Sequence, residues 1–171
     1  VVTDVKTGAI LAAATSPTYD INDYLENYSA VANGENSPLI NRATSGLYRP
    51  GSTFKTVTAT AGLNYGIIDR STTVTCNKVY TYWDDYQPKC TGYHGRINVI
   101  TALEKSCNIF FYDVGRIMGI DKLANYAEYY GFGQNTGIEI GDYAGYFATP
   151  ETFQERRLEW QAGLVVQAAI G

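Results

Sequence analysis

Apolar positions form short extended runs at the amino end and helical spacings further on, with a long polar stretch between. Val1–Lys6 and Ala9–Ala14 flank Thr7-Gly8, a pattern that predicts a β-hairpin. Ser16–Tyr48 is rich in Asn, Ser, Pro, Gly and Tyr without a sustained period. It reads as a long loop with a short helix near Asn22–Tyr28, and a loop of that length in a compact domain usually carries function. Arg49-Pro50-Gly51-Ser52 is a helix-start signal ahead of Phe54, Val57, Ala59, Ala61 and Leu63, with the helix ending at Gly66. Ile68–Thr75 reads as extended and leads into Cys76–Gly95, a polar, aromatic, turn-rich excursion. Asn98–Lys105 and Asn108–Met118 have helical spacing, with Ser106-Cys107 at the joint between them. Asp121 is expected to cap a third helix reaching Tyr130, closed by Gly131 and Gly133. Leu158–Ala169 is a final helical or strand-like piece. Strands at one end and a helical block after them predict an α+β or α/β class.

Composition narrows the function classes. At 171 residues, with 45% apolar and 18% charged positions, the chain fits one folded domain and is not a disordered segment. Thirteen basic against seventeen acidic residues leave a net charge of −4, which argues against nucleic acid or an anionic membrane as a partner. The longest apolar stretches, Ala9–Ala14 and Leu164–Ile170, fall short of the ~20 residues of a membrane span. No signal peptide is visible and the first residue is valine, so the expectation is a piece cut from a longer protein. Fifteen tyrosines suit either contact with polar polymers or ordinary amphipathic packing.

Ser52-Thr53-Phe54-Lys55 places a hydroxyl and an amine three residues apart, on one face of the first turn of a helix. That pairing permits nucleophilic acyl transfer. Neutral Lys55 takes the proton of Ser52 as the hydroxyl attacks a carbonyl, and the helix amino terminus steadies an oxyanion. Neutrality requires the lysine pKa to fall through burial or a second cation. The motif alone is weak, arising by chance roughly once in a chain of this size. Ser106-Cys107-Asn108 adds a second hydroxyl and an amide two residues apart at a break between helices. The serine can relay a proton to a leaving amine while the asparagine holds the lysine or a substrate amide. The plain alternative is a pair of helix caps.

All three cysteines and the only histidine, Cys76, Cys90, His94 and Cys107, fall in one window with spacing C-x13-C-x3-H-x12-C. Cys3His is a complete ligand set for structural zinc. Such an ion would pin the Cys76–Gly95 excursion to the helix break beside Ser106 and Asn108. A Cys76–Cys90 disulfide with Cys107 as a buried apolar residue is the other reading in an oxidising compartment, and free thiols are the third.

Taken together, Tyr48–Lys55 followed by Ala102–Phe111 resembles a penicillin-binding protein transpeptidase domain. Asp4–Ala12 through Ser16–Asp20 is similar to the strand pair and loop that precede the nucleophile in that family. Gly119–Leu123, Tyr130–Gly133 and Thr136–Ile138 extend the likeness, and Gly92-Tyr93-His94-Gly95 resembles the elongation-type class B branch. S-x-x-K is a known signature of these enzymes. The resemblance implies a serine transpeptidase/β-lactamase-like fold, here a helical block with an incomplete antiparallel sheet. It implies that residues 1–171 are the amino-terminal portion of the domain. It also implies a D,D-transpeptidase in which Ser52 attacks the penultimate D-Ala carbonyl of a peptidoglycan stem peptide, releases terminal D-Ala, and passes the acyl group to a neighbouring amine. Lys55 is then the base, Ser106 the proton relay and Asn108 a substrate-binding group. β-Lactams would acylate the same serine. A membrane-embedded glycosyltransferase is the implied partner, and the extracytoplasmic face of a bacterial membrane the implied location. No cofactor is implied for the chemistry, although some class B members hold zinc in this region.

The family's third motif, Lys-Thr/Ser-Gly on a strand, follows the S-x-N element. Lys6-Thr7-Gly8 has those letters but precedes Ser52 and matches the earlier strand pair, so the true triplet is expected beyond Gly171. A piece lacking that strand is expected to acylate weakly or not at all. The enzymatic rivals are a serine β-lactamase, which needs a second base (Glu128 and Glu139 lack a suitable context), and a D,D-carboxypeptidase. A non-catalytic β-lactam sensor is the rival from another class.

Overall fold

The computed structural model describes residues 1–171, which divide into two compact units. The first comprises Val1–Tyr48 with Asn135–Ala144. In it β1 (Val2–Thr3) pairs antiparallel with β2 (Ile10–Ala12), Val2 opposite Ala12. The hairpin expected from sequence is present, shorter than its apolar runs. Its turn explains Lys6-Thr7-Gly8: the Asp4 carboxylate accepts from the Lys6 and Thr7 amides and the Thr7 hydroxyl, so these letters serve a turn. The polar stretch holds α1 (Ile21–Glu26), capped by the Asp20 side chain, and α2 (Tyr28–Ala32), which lacked a periodic signal.

The second unit, Arg49–Gln134 with Gly145–Gly171, carries every candidate site residue. A 3-10 turn at Gly51–Phe54 runs directly into α3 (Lys55–Asn64). β3 (Thr73–Cys76) pairs antiparallel with β4 (Gly95–Asn98), in register from Thr73 opposite Asn98 to Cys76 opposite Gly95. Then come α4 (Val99–Glu104), α5 (Asn108–Met118), α6 (Ile120–Glu128), α7 (Pro150–Glu155) and α8 (Leu164–Ala168).

The central element is α5. Ile109, Phe110, Phe111, Tyr112, Val114, Gly115 and Met118 are all buried, because the helix is apolar nearly all round and is packed on several sides. α3 reaches it closely because its sequence is small. A Cβ at Gly62 would lie 3.0 Å from Val114 Cγ1 and 3.1 Å from Ile68 Cγ1. α6 departs from the sequence expectation at its start: Gly119 is the N-cap and Asp121 lies in the first turn, where its charge still favours the helix dipole. α7 opens with a capping box on Thr149 and Thr152 and Pro150 at its first position.

Candidate active site

Ser52 sits on the 3-10 turn with its side chain exposed; Lys55, one turn later, is 1% exposed. A lysine so buried must find partners for its ammonium group. Its Nζ donates to the Ser106 carbonyl at 2.8 Å, to Ser106 Oγ at 2.9 Å and to Asn108 Oδ1 at 2.6 Å. Nζ also lies 5.9 Å from the centre of the Phe111 ring. Lys55 of S-x-x-K and Ser106 and Asn108 of S-x-N, 51 and 53 residues further along, are thus one hydrogen-bonded cluster. The three bonds from Nζ run to Ser106 and Asn108, and Ser52 waits on the preceding turn. Ser106 adopts φ +50 at the joint between α4 and α5, the left-handed region where a non-glycine residue is strained. That kink turns both its carbonyl and its hydroxyl towards the amine. Neither Ser106 nor Asn108 is a cap: the N-cap of α5 is Cys107, with no side-chain hydrogen bond.

Three acceptors around Nζ match the three protons of an ammonium group. Burial works the other way and holds the Lys55 pKa below the usual 10.5, partly offset by the negative charge available at Cys90 and Cys107. On losing a proton the amine keeps two donors. The Ser106 carbonyl and Asn108 Oδ1 can only accept, whereas Ser106 Oγ can reverse and donate into the lone pair. Ser106 is therefore the member of this cluster able to exchange a proton with neutral Lys55.

The Asn108 amide is fixed by its other end, Nδ2 donating to the Lys89 carbonyl at 3.2 Å, and its backbone N–H donates to Cys90 Sγ at 3.3 Å. Lys89 and Cys90 lie on a short antiparallel pairing of residues 78–80 with 88–90: Val79 bridges Lys89, Tyr80 N donates to the Pro88 carbonyl and Cys90 N to that of Lys78. This support was not readable in the sequence. A side network braces the same excursion against α5. Tyr80 donates its hydroxyl to Asp113 at 2.9 Å and accepts from Arg116 Nε at 2.9 Å, and Arg116 pairs with Asp113 at 2.8 Å. Burial pushes the Tyr80 hydroxyl up to about 12.

The cysteines converge as the zinc reading expected. Cys76 and His94 meet because the β3–β4 register sets Cys76 opposite Gly95. The four ligand atoms of Cys76, Cys90, His94 and Cys107 all lie within 4.8 Å of one another. His94 Nδ1 is 3.5 Å from Cys76 Sγ and 3.6 Å from Cys90 Sγ, and Cys90 Sγ is 3.9 Å from Cys107 Sγ. Around zinc, with bonds of about 2.3 Å to sulfur and 2.0 Å to nitrogen, a tetrahedron has edges of about 3.8 Å (S to S) and 3.5 Å (S to N). The donor set fits the ion. The alternative Cys76–Cys90 disulfide is not formed: all three cysteines are free and buried. Backbone N–H groups of Gly92, Asn108 and Ile109 more than offset burial to hold the Cys90 thiol below its usual value, while burial pushes Cys107 up.

The chain belongs to the penicillin-binding protein transpeptidase family: the model of the penicillin binding protein transpeptidase domain matches residues 1–169. It is 37% identical over its whole length to the peptidoglycan D,D-transpeptidase MrdA of Escherichia coli and 34% identical over 98% to that of Acinetobacter baumannii. It spans 29% and 26% of those two proteins. Among solved structures, the D,D-transpeptidase domain of an Eggerthella lenta peptidoglycan glycosyltransferase superposes with a TM-score of 0.77 at 32% identity, covering 99% of this chain and 40% of that one. Pseudomonas aeruginosa PBP2 in complex with WCK 5153 gives 0.78 at 28%, covering 92% and 38%. The Helicobacter pylori PBP2–MreC complex gives 0.81 at 25%, covering 94% and 32%.

Proposed function

We propose that this chain is the nucleophile-bearing portion of a peptidoglycan D,D-transpeptidase. The observation that carries the reading is the buried Lys55 amine, bonded to Ser106 and Asn108 one turn after an exposed serine. Ser52 attacks the penultimate D-Ala carbonyl of a stem peptide, and Lys55 takes its proton. The Gly51 N–H is taken by the Gly171 carbonyl, which leaves the N–H of Ser52, without an acceptor inside the turn, to meet the developing oxyanion. The proton then passes from Lys55 through Ser106 Oγ to the leaving D-Ala amine. A neighbouring stem-peptide amine resolves the acyl-serine by the same path in reverse. Asn108 holds Lys55 in place and presents its amide to the substrate. β-Lactams acylate Ser52 in the same way.

Cys76, Cys90, His94 and Cys107 would hold a structural zinc ion, which supplies folding energy and takes no part in the chemistry. Through the Asn108 N–H to Cys90 bond, that centre supports the S-x-N turn. The setting is the extracytoplasmic face of a bacterial membrane, beside a glycosyltransferase of the cell-wall machinery. Two likenesses support that placement: one structure described as a peptidoglycan synthase complex coordinating polymerization and crosslinking, and the PBP2–MreC complex. No helix of the chain is long and apolar enough to cross a membrane.

The test is a stem pentapeptide ending in D-Ala-D-Ala, offered to the full-length protein with and without an acceptor amine. The expected result is D-Ala release matched by crosslinked product. Release into water alone would make the protein a carboxypeptidase. Acylation by a penicillin with no D-Ala release would make it a sensor, and rapid penicillin turnover a β-lactamase.

A further inference from the structure

Three elements, the turn bearing Ser52, the helix bearing Lys55 and the helix that begins at Asn108, are all contacted by the residues that close α8, Ala169 and Gly171. Thr58 shares a face of α3 with Lys55, one turn on. It is 0% exposed, and its Oγ1 donates to the Ala169 carbonyl at 2.8 Å. That carbonyl is one of the helix-end acceptors left without an intrahelical donor. Ala169 in turn packs on α5 so closely that a Cβ at Gly115 would lie 2.4 Å from Ala169 Cβ. Two residues further, the Gly171 carbonyl accepts from Gly51 N at 3.1 Å. Gly171 has φ +89, and a Cβ there would lie 2.2 Å from the Gly51 carbonyl oxygen and 2.8 Å from its nitrogen. Only glycine fits both the conformation and the contact.

The nucleophile turn has two anchors, one on each side of Ser52. Phe54 is buried, its ring 5.2 Å from that of Phe132 and 5.6 Å from that of Phe147. On the other side the anchor is the Gly51–Gly171 contact. Ser52 and Thr53 between them are exposed. We infer that Thr58 and Gly171 are positioning residues for acylation: they join the end of α8 to α3 and to Gly51, and so fix the place of Ser52 relative to Lys55. The inference deepens the transpeptidase reading and rests on it for its kinetic consequence. A misplacement of about 1 Å far from the chemistry costs on the order of 100-fold in rate, whereas binding of a β-lactam before acylation needs no such alignment.

The test compares Thr58→Val, Thr58→Ser and Gly171→Ala in the full-length protein. It measures the first-order acylation constant separately from the dissociation constant for one penicillin, together with hydrogen exchange of the Gly51–Phe54 peptide. Thr58→Val is expected to slow acylation roughly 10-fold and Gly171→Ala roughly 100-fold, with the dissociation constant within about 2-fold and faster exchange confined to Gly51–Phe54. Thr58→Ser keeps the hydroxyl and is expected to restore most of the rate. Should Gly171→Ala fail to fold, the single hydrogen bond removed in Thr58→Val decides. Unchanged acylation and unchanged exchange in folded Thr58→Val overturn the inference. A wild-type protein that is never acylated overturns the transpeptidase reading instead, and the exchange measurement still decides whether α8 restrains Gly51.

Discussion

Replacing Lys55 by methionine is expected to lower the acylation rate constant by about 1,000-fold while leaving initial β-lactam binding within a few-fold. Methionine keeps most of the buried stem, so the packing of α3 on α5 survives. What disappears, on the proposed mechanism, is the amine that accepts the Ser52 proton, an effect of about 100- to 10,000-fold for general acid–base groups. Three acceptors are also left without their donor, the Ser106 carbonyl and hydroxyl and Asn108 Oδ1. Each such loss costs roughly 1–3 kcal/mol where water cannot enter, so the variant is expected to melt earlier as well. The pH profile of the native protein gives a second signature. Burial lowers the Lys55 pKa, and the reactive form is the deprotonated one, so the acylation rate should climb as pH rises and half-saturate below 10.5. Below that point each pH unit removes about tenfold of the neutral amine. Lys55→Met should lose this rise. A steep profile surviving in the variant would assign the base elsewhere.

The second large effect is expected at the cysteine cluster. Protein prepared without chelator should contain one zinc per chain, and cobalt in its place should show the strong visible absorption of a tetrahedral thiolate site. Structural zinc in small thiolate sites contributes about 10–16 kcal/mol of apparent binding energy at neutral pH. If even 3–5 kcal/mol of that supports this unit, Cys107→Ala should melt about 10 °C or more below wild type. Acylation should fall as well, because Cys107 lies between Ser106 and Asn108 and because Cys90 Sγ holds the Asn108 N–H. Metal-free protein with three titratable thiols and a melting temperature indifferent to chelator would remove zinc from the account.

The parts legible in the sequence are those where chemistry or periodicity is local. Asn108–Met118 announced a helix through its apolar spacing, and it is the central helix of the second unit. The meeting of Lys55 with Ser106 and Asn108 was readable because two short motifs in the right order suggest an acyl-transfer cluster, and the structure joins these three residues. The convergence of Cys76, Cys90, His94 and Cys107 was readable because four strongly metal-preferring side chains rarely cluster otherwise. Other features depended on partners far away in sequence. The pairing of residues 78–80 with 88–90 is carried by backbone groups, which no side-chain pattern announces. β4 is a four-residue strand that leads directly into α4, too short for its side-chain pattern to announce it. Asp121 looked like a cap because it is a good one, but the positive φ of Gly119 had already begun α6. Thr58 reads as an ordinary polar residue within a helix. Its role depends on Ala169, 111 residues away.

The most direct measurement is peptide mapping of the full-length protein after brief exposure to a penicillin, with Ser52→Ala run alongside. The mass of one opened β-lactam should appear on the peptide containing Ser52 and nowhere else, and Ser52→Ala should carry none. A label on Ser106, or undiminished labelling of Ser52→Ala, would contradict the assignment of the nucleophile to the exposed hydroxyl one turn ahead of the buried lysine.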